Sequence, residues 1–414
     1  MKHVEPDYDK TVFVPYMSDH CVAIAAGMVA HGIPSAVMPP PDDESLALGL
    51  DVCRGRECLP CFTTTGDMLR LARQPDFDPK KSQILMVTSC GPCRFGQYIP
   101  MQRALLNAQG ASAVEFIAPS AQNNYEGFGK KPMQLRLLIW QGIVAIDLLI
   151  KLLHRYRPYE LETGVVDRVY QECLDEIRLA VEAGGGRRLV AAMQGIAEQF
   201  AGLPVDFSEQ RPRIGLVGEI YLRLNSYSNQ EIIRQVEAAG GEVHMATMAE
   251  WLYYINWGVR ALTHLFAAYV PFFLANLTDR YQRRWERKLA RPVAHLLEFP
   301  LESTTEALLA GLAPYYEPYL ATEAVLTMGK AIEWAHHGFA GILNVMPFTC
   351  MPGLITAGMS PRFRPDLQEI PWLDISYQAQ RGTNLNTRLE AFMYQASQFD
   401  RRRQAAPAAL YSGA

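Results

Sequence analysis

The sequence predicts an α/β protein made of two small parallel-sheet domains with additional helical segments. Two observations carry that expectation. Short apolar runs such as ILMVT (84–88) and GILNVM (341–346) alternate with helix-length segments rather than with tight turns. The alternation occurs twice, on either side of a helical middle. A short run that is apolar throughout suits a strand buried on both faces, which is the situation in a parallel sheet covered by helices. The domains expected are therefore Rossmann- or flavodoxin-like.

The elements can be justified in order. TVFVP (11–15) reads as a buried strand, the Ala-rich segment 20–31 as a helix, and 35–38 as the next strand, followed by the turn-rich PPPDDES. ILMVT and 114–118 complete a first domain over residues 1–131. Residues 132–210 are helical by periodicity, with breaks at Arg157–Pro158 and at the glycine run 184–186, which reads as a linker. The second α/β domain, 211–414, has strands at 214–217, 243–247, 341–346 and 372–375. Its helices are expected at 229–239, 323–336 and 386–403, with a helical insert at about 248–289.

Composition narrows the function. The chain has 414 residues, enough for two or three cored domains, and a formal charge of −4. No basic surface points to nucleic acid. The N-terminal MKHVEPDYDK is charged and has no apolar core of a signal peptide, so a cytoplasmic protein is expected. Two apolar stretches invite a membrane reading. Residues 135–153 contain Arg136, Asp147 and Lys151, which suits a buried or dimer-facing helix. Residues 261–277 are at the short limit for spanning and read as a core helix, with no membrane partner expected.

The eight cysteines hold most of the chemical signal. Cys53, Cys58 and Cys61 lie in DVCRGRECLPCFTTTG, Cys90 and Cys93 in TSCGPCRFGQY, and Cys350 in NVMPFTCMPG. The last two groups directly follow predicted strands, and ligands of open α/β sheets bind at the carboxyl ends of strands. Helix N-termini expected after Cys61 and Cys93 would stabilise thiolates. Cys173 sits mid-helix and reads as a small packed hydrophobe; Cys21, in SDHC, is expected near the site but not as a ligand. In a reducing compartment such clusters serve as metal ligands or redox groups. Two C-x-x-C pairs could make a structural zinc site, yet 28 residues separate them and Cys350 is left over. Cys90-Gly-Pro-Cys93 has the inner dipeptide of a thioredoxin motif, but Ser89 replaces an aromatic and the other cysteines go unused.

The stretches GRECLP (55–60), TTTGD (63–67), GPCRFGQY (91–98), GEIYLRLNSYSN (218–229), NVMPFTCMPG (344–353) and WLDIS…TRLEAF (372–392) occur in one order along most of the chain. In these the chain resembles the 2-hydroxyacyl-CoA dehydratase D-component superfamily, closest to the activase-related and double-cubane cluster protein branch. The resemblance implies an oxygen-sensitive iron–sulfur protein, an oxidoreductase or dehydratase-like lyase. It would receive electrons from a separate ATP-hydrolysing activase dimer that carries its own iron–sulfur cluster. It further implies Cys58, Cys93 and Cys350 as ligands. Cys53, Cys61 and Cys90 are additional here: three ligands suit a single 4Fe-4S cluster, six suit a double-cubane 8Fe-9S cluster, and the six favour the double cubane. No nucleotide-binding loop is visible, which fits ATP hydrolysis by a partner.

Glu219, after a strand in GEIYLR, is the candidate catalytic acid or orienting group, with a helix-capping role as its equal alternative. Arg56 and Arg94 flank cluster cysteines and could balance charge, or pair with surface carboxylates. Gln97 and Tyr98 are carried as cavity-lining residues by the resemblance. His336–His337 reads as a helix end. The apolar helix faces of 132–210 and 248–289 suggest a homodimer that docks the activase. A small-molecule substrate is expected. The competing functions are a non-catalytic electron carrier or cluster scaffold, and a structural zinc protein.

Overall fold

The computed structural model describes residues 4–53, 57–88, 93–119, 128–266, 269–320, 322–380 and 384–405. In chain order its elements are β1 (Thr11–Val14), α1 (His20–Ala30), β2 (Ser35–Val37), α2 (Asp43–Val52), α3 (Leu59–Ala72), β3 (Ser82–Leu85), α4 (Tyr98–Ala108) and β4 (Glu115–Ile117). The helices α5 (Pro132–Tyr156), α6 (Val165–Glu182) and α7 (Arg187–Ala201) follow. Then come β5 (Arg213–Gly218), α8 (Ile220–Leu224), α9 (Ile232–Ala238), β6 (Glu242–Met245), α10 (Met248–Leu265), α11 (Tyr269–Ala290), α12 (Thr305–Leu312), α13 (Glu323–His336), β7 (Gly341–Pro347), α14 (Met351–Phe363), β8 (Trp372–Tyr377) and α15 (Leu385–Ala405).

The chain divides into two units. The first comprises Met1–Ile150, Asp167–Gly202 and Asn276–Leu301, and the second Lys151–Val166, Leu203–Ala275 and Glu302–Ala414. Residues 132–210 thus contribute to both. Each unit holds one four-stranded, all-parallel sheet, as the sequence predicts.

In the first unit the strand order is β2-β1-β3-β4. Val12 pairs with Ser35 on one side and Gln83 on the other, and Ile84 pairs with Phe116. Gln83 is polar yet buried in β3. Its amide is fully engaged, accepting from Asp7 N (2.8 Å) and donating to the Glu5 carbonyl and Glu115 Oε2 (both 3.1 Å). Burial of a polar group costs little once its hydrogen bonds are made. Helices α2 and α3 pack backbone to backbone. A Cβ on Gly66 would lie 1.7 Å from the Ser45 carbonyl oxygen, and one on Gly49 2.1 Å from that of Phe62. Only glycine allows this approach, and it brings the end of α2 beside the start of α3.

The second unit repeats the topology as β6-β5-β7-β8. β7 is central and buried along its whole length. Its one polar residue, Asn344, donates from Nδ2 to Asp374 Oδ1 at 2.7 Å. Gly215 leaves room for the Trp334 ring, which a Cβ would meet at 2.3 Å.

Among the described residues one helix, Pro132–Tyr159, is long and apolar enough to cross a membrane, and 89% of its apolar window is buried. Its charged residues are paired: Asp147 with His20 at 3.0 Å in the first unit, Lys151 with Glu302 at 2.5 Å in the second. The expectation of a buried helix at 135–153 holds. The reading of 261–277 as a core helix does not. The stretch is split between α10 and α11, and Leu262, Leu265, Phe266, Tyr269, Val270, Phe273, Leu274 and Leu277 are exposed.

Candidate functional site

In the first unit Cys53, Cys58, Cys61 and Cys93 lie at the ends of helices. Cys53 ends α2 as its C-cap. Cys58 is the N-cap of α3, extended at φ −89°, ψ 159°, and Pro60 stands in the first turn, where a helix needs no N–H. The helix therefore starts at Cys58, not after Cys61 as the sequence suggested; Cys61 lies inside the first turn, its N–H bonded to the Cys58 carbonyl at 2.9 Å. Cys93 is the N-cap of the 3-10 turn Arg94–Gln97, which leads directly into α4. At the start of α4 the Tyr98 hydroxyl lies 2.5 Å from the Cys58 sulfur. Phe95 packs edge-on against Tyr98 with centroids 5.2 Å apart. Gln102 donates to the Thr64 hydroxyl at 3.1 Å and so ties α4 to α3. Cys61 and Tyr98 are buried in one core cluster, with Cys58 and Phe95 packed against it.

The thiols influence one another. Cys61 donates a hydrogen bond to Cys53, which lowers the Cys53 pKa; burial and the nearby Glu57 carboxylate oppose that, and the Thr65 hydroxyl assists it. Cys61 moves up, chiefly because it keeps the proton in that bond, then by burial and the charges of Cys53 and Cys58. Of the two, Cys53 is the readier to ionise, and metal binding needs thiolates. Cys90 and Arg56 lie outside the described residues. Arg94 is half-buried and Gln97 exposed.

In the second unit Cys350 follows β7 and is the N-cap of α14, with Pro352 in the first turn. Thr349, just before it, adopts φ 61°, a left-handed conformation that costs a β-branched residue about 1–3 kcal/mol. Such strain is kept where the surrounding fold demands one chain path. Cys58, Cys93 and Cys350 thus each occupy an N-cap, and none caps its helix through the side chain. The unfilled N–H groups of a helix start favour negative charge, so a thiolate is stabilised there.

Glu219 directly follows β5. It caps α8, accepting from Tyr221 N at 3.1 Å and Leu222 N at 2.9 Å. The capping alternative is therefore realised. A second carboxyl that sequence reasoning missed joins it: Glu323 Oε1 accepts from Ile220 N at 2.9 Å. Burial, then the charge of Glu219, push the Glu323 carboxyl up to about 8. Burial likewise raises Glu219, against its two backbone N–H bonds and Arg223. Arg223 is buried nearby, and its four-residue spacing from Glu219 was the one signal available in the sequence. A further buried network centres on Lys330 Nζ, 2.9 Å from Glu333, 3.0 Å from Glu250 and 3.3 Å from Glu302. Burial opposes the ionisation of Glu302, but Lys151 and Lys330 outweigh it and hold that carboxyl down to about 2.

The remaining candidates fall outside these clusters. The Cys21 thiol donates to the Ser18 carbonyl at 2.7 Å, and burial pushes its pKa up. Burial raises the Cys173 thiol to about 12, consistent with a packed helix residue. His336 ends α13 and His337 caps it, bonded through Nδ1 to the Glu333 carbonyl at 2.8 Å. No disulfide joins the seven described cysteines, and among the described residues no group of three or more His, Cys, Asp and Glu is arranged to hold a metal ion. A scan against protein-family models gave no match to the chain, and a search of curated proteins gave none.

Proposed function

We propose that the chain is the cytoplasmic iron–sulfur component of an ATP-activated, low-potential reductase or dehydratase system, taking electrons from a separate ATP-hydrolysing activase dimer. The observation that supports it best is the N-cap position of Cys58, Cys93 and Cys350, the three cysteines that the family resemblance marks as ligands. These would hold the cluster, with Cys53, Cys61 and Cys90 as further ligands of a double cubane. The donor set fits such a group: sulfur only, with Cys53 hydrogen-bonded to Cys61 and Tyr98 set against Cys58. An iron–sulfur cluster bound there would supply one-electron transfer at low potential. The protein's own part is to fix the sulfurs on rigid helix starts and to donate hydrogen bonds toward them. Tyr98 is placed for that, since hydrogen bonds to ligand sulfur tune the potential.

Clustered thiolates make a further electron costly to add, which is the reason for an ATP-driven donor. The test is reduction of acetylene or hydrazine with dithionite, run with and without ATP and the cognate activase. Turnover confined to the complete mixture is the expected result. Equal rates in all mixtures would contradict activase dependence and leave an electron carrier or scaffold as the better description.

A further inference from the structure

The second unit holds a cation that its neighbours do not satisfy. Arg223 is only 4% exposed, and its Nε has no hydrogen-bond partner. Three carboxyls lie close enough for their charges to act with it, namely Glu219, Glu323 and Glu250. None of them forms an ion pair with it among the described residues.

The reason is local and structural. Glu219 and Glu323 are pinned by successive backbone N–H groups of α8, those of Ile220, Tyr221 and Leu222, at 2.9–3.1 Å. Arg223 is the next residue of the same helix, and its charge acts on Glu219 and Glu323 without a hydrogen bond to either. Glu250 is held instead by Lys330 at 3.0 Å. The charges of Glu219 and Glu250 are thus answered by backbone N–H groups and by a lysine, which leaves Arg223 as the cation without a hydrogen-bonded counterion.

Two other buried polar atoms of the second unit also lack partners. One is Thr322 Oγ1, adjacent to Glu323; the other is Asn344 Oδ1, 2.9 Å from where a Cβ on Gly218 would stand. Buried polar atoms are nearly always satisfied, so an orphaned guanidinium nitrogen acting with three carboxyls calls for an occupant. The place is the carboxyl edge of β5 and β7, the point where the strand order of this sheet reverses and where α/β sheets bind ligands.

We propose that Arg223, Glu323 and Thr322 form a binding site for the carboxylate group of a small monocarboxylate. The guanidinium is planar and matches a carboxylate with two parallel N–H bonds. Neutral Glu323 offers an O–H to a carboxylate oxygen, and so does the Thr322 hydroxyl. One guanidinium amid several carboxyls suits a planar monoanion better than a phosphate, which would bring nearly two charges. The site does not depend on the iron–sulfur reading.

The test is calorimetric titration of the full-length chain with acetate at pH 7, with inorganic phosphate titrated in parallel. Metal content is recorded separately, so failure of the cluster and failure of this site are told apart. The expected result is one acetate per chain, at least tenfold weaker binding in Arg223→Gln, and no comparable phosphate binding. Arg223→Lys keeps the charge for folding but loses the planar fork, and should also weaken binding severalfold. Glu323→Gln keeps a neutral donor: acetate should still bind at pH 7, and the weakening expected in the parent chain above pH 8 should vanish. No acetate binding at millimolar concentration would mean that water fills the gap and overturns the site. Phosphate binding as tight as acetate, or acetate binding unchanged in folded Arg223→Gln, would overturn it equally.

Discussion

The two units use one topology for different chemistry. In each sheet the third strand in sequence, β3 or β7, leads to a cysteine at an N-cap, Cys93 or Cys350. The first unit also carries Cys53, Cys58 and Cys61 at the end of α2 and the start of α3. The second unit adds no cysteine beside Cys350, and places Glu219, Glu323 and Arg223 after β5 instead. The parallel sheet thus decides where functional side chains emerge, while the connecting loops decide what they are. Hydrogen-bonded thiols suit a soft metal; two anchored carboxyls beside a guanidinium would suit an organic anion.

The largest effect expected concerns the lone cysteine of the second unit. If Cys350 matters as much as its counterpart, Cys350→Ala should lose iron and sulfide as completely as Cys58→Ala or Cys93→Ala, while Cys173→Ala keeps both. Metal analysis of anaerobically purified variants decides this. Full retention in Cys350→Ala would confine the metal chemistry to the first unit.

A smaller effect probes the architecture under the carboxyl pair. Gly218 adopts φ 119°, and a Cβ there would lie 2.0 Å from the Val345 carbonyl oxygen. Gly218→Ala should destabilise the protein by roughly 3 kcal/mol, read by denaturant unfolding. A loss below about 1 kcal/mol would show that the edge of β5 relaxes easily and does not hold Glu219 rigidly.

A gradual effect, spread over several pH units, is a pH dependence. Burial and Glu219 raise Glu323 from an ordinary 4.5 to about 8. The folded state therefore keeps a proton that the unfolded chain has lost. The contribution is full below pH 4.5 and declines as pH rises to about 8, by at most about 1.4 kcal/mol per pH unit. Glu323→Gln should flatten the stability profile between these limits. An unchanged slope would assign the proton elsewhere.

Much of this fold is written locally. Apolar runs located the eight strands of the described residues within a few positions, because the strands of a helix-covered parallel sheet are mostly apolar. Helices with mixed signals were harder to see. The segment PPPDDES looks like a turn, yet Asp42 caps α2 by accepting from Ser45 N at 2.9 Å. α14 contains Pro352 and Pro361 and still forms, since the first proline sits where no N–H is needed and the second near the helix end. Hydropathy misjudged 261–277, because it measures composition and not what covers a helix. The cysteines could be read from spacing. Glu323 could not, since its partner Ile220 N is 103 residues away and only the folded sheet brings them together.

The proposed function requires that the cysteines hold iron with inorganic sulfide. Its most direct measurement is the iron, acid-labile sulfide and zinc content of anaerobically purified protein, with the absorption spectrum recorded alongside. Brown protein with broad charge-transfer absorption is expected, with roughly eight irons per chain for a double cubane or about four for a single cluster. Colourless protein carrying stoichiometric zinc would contradict it.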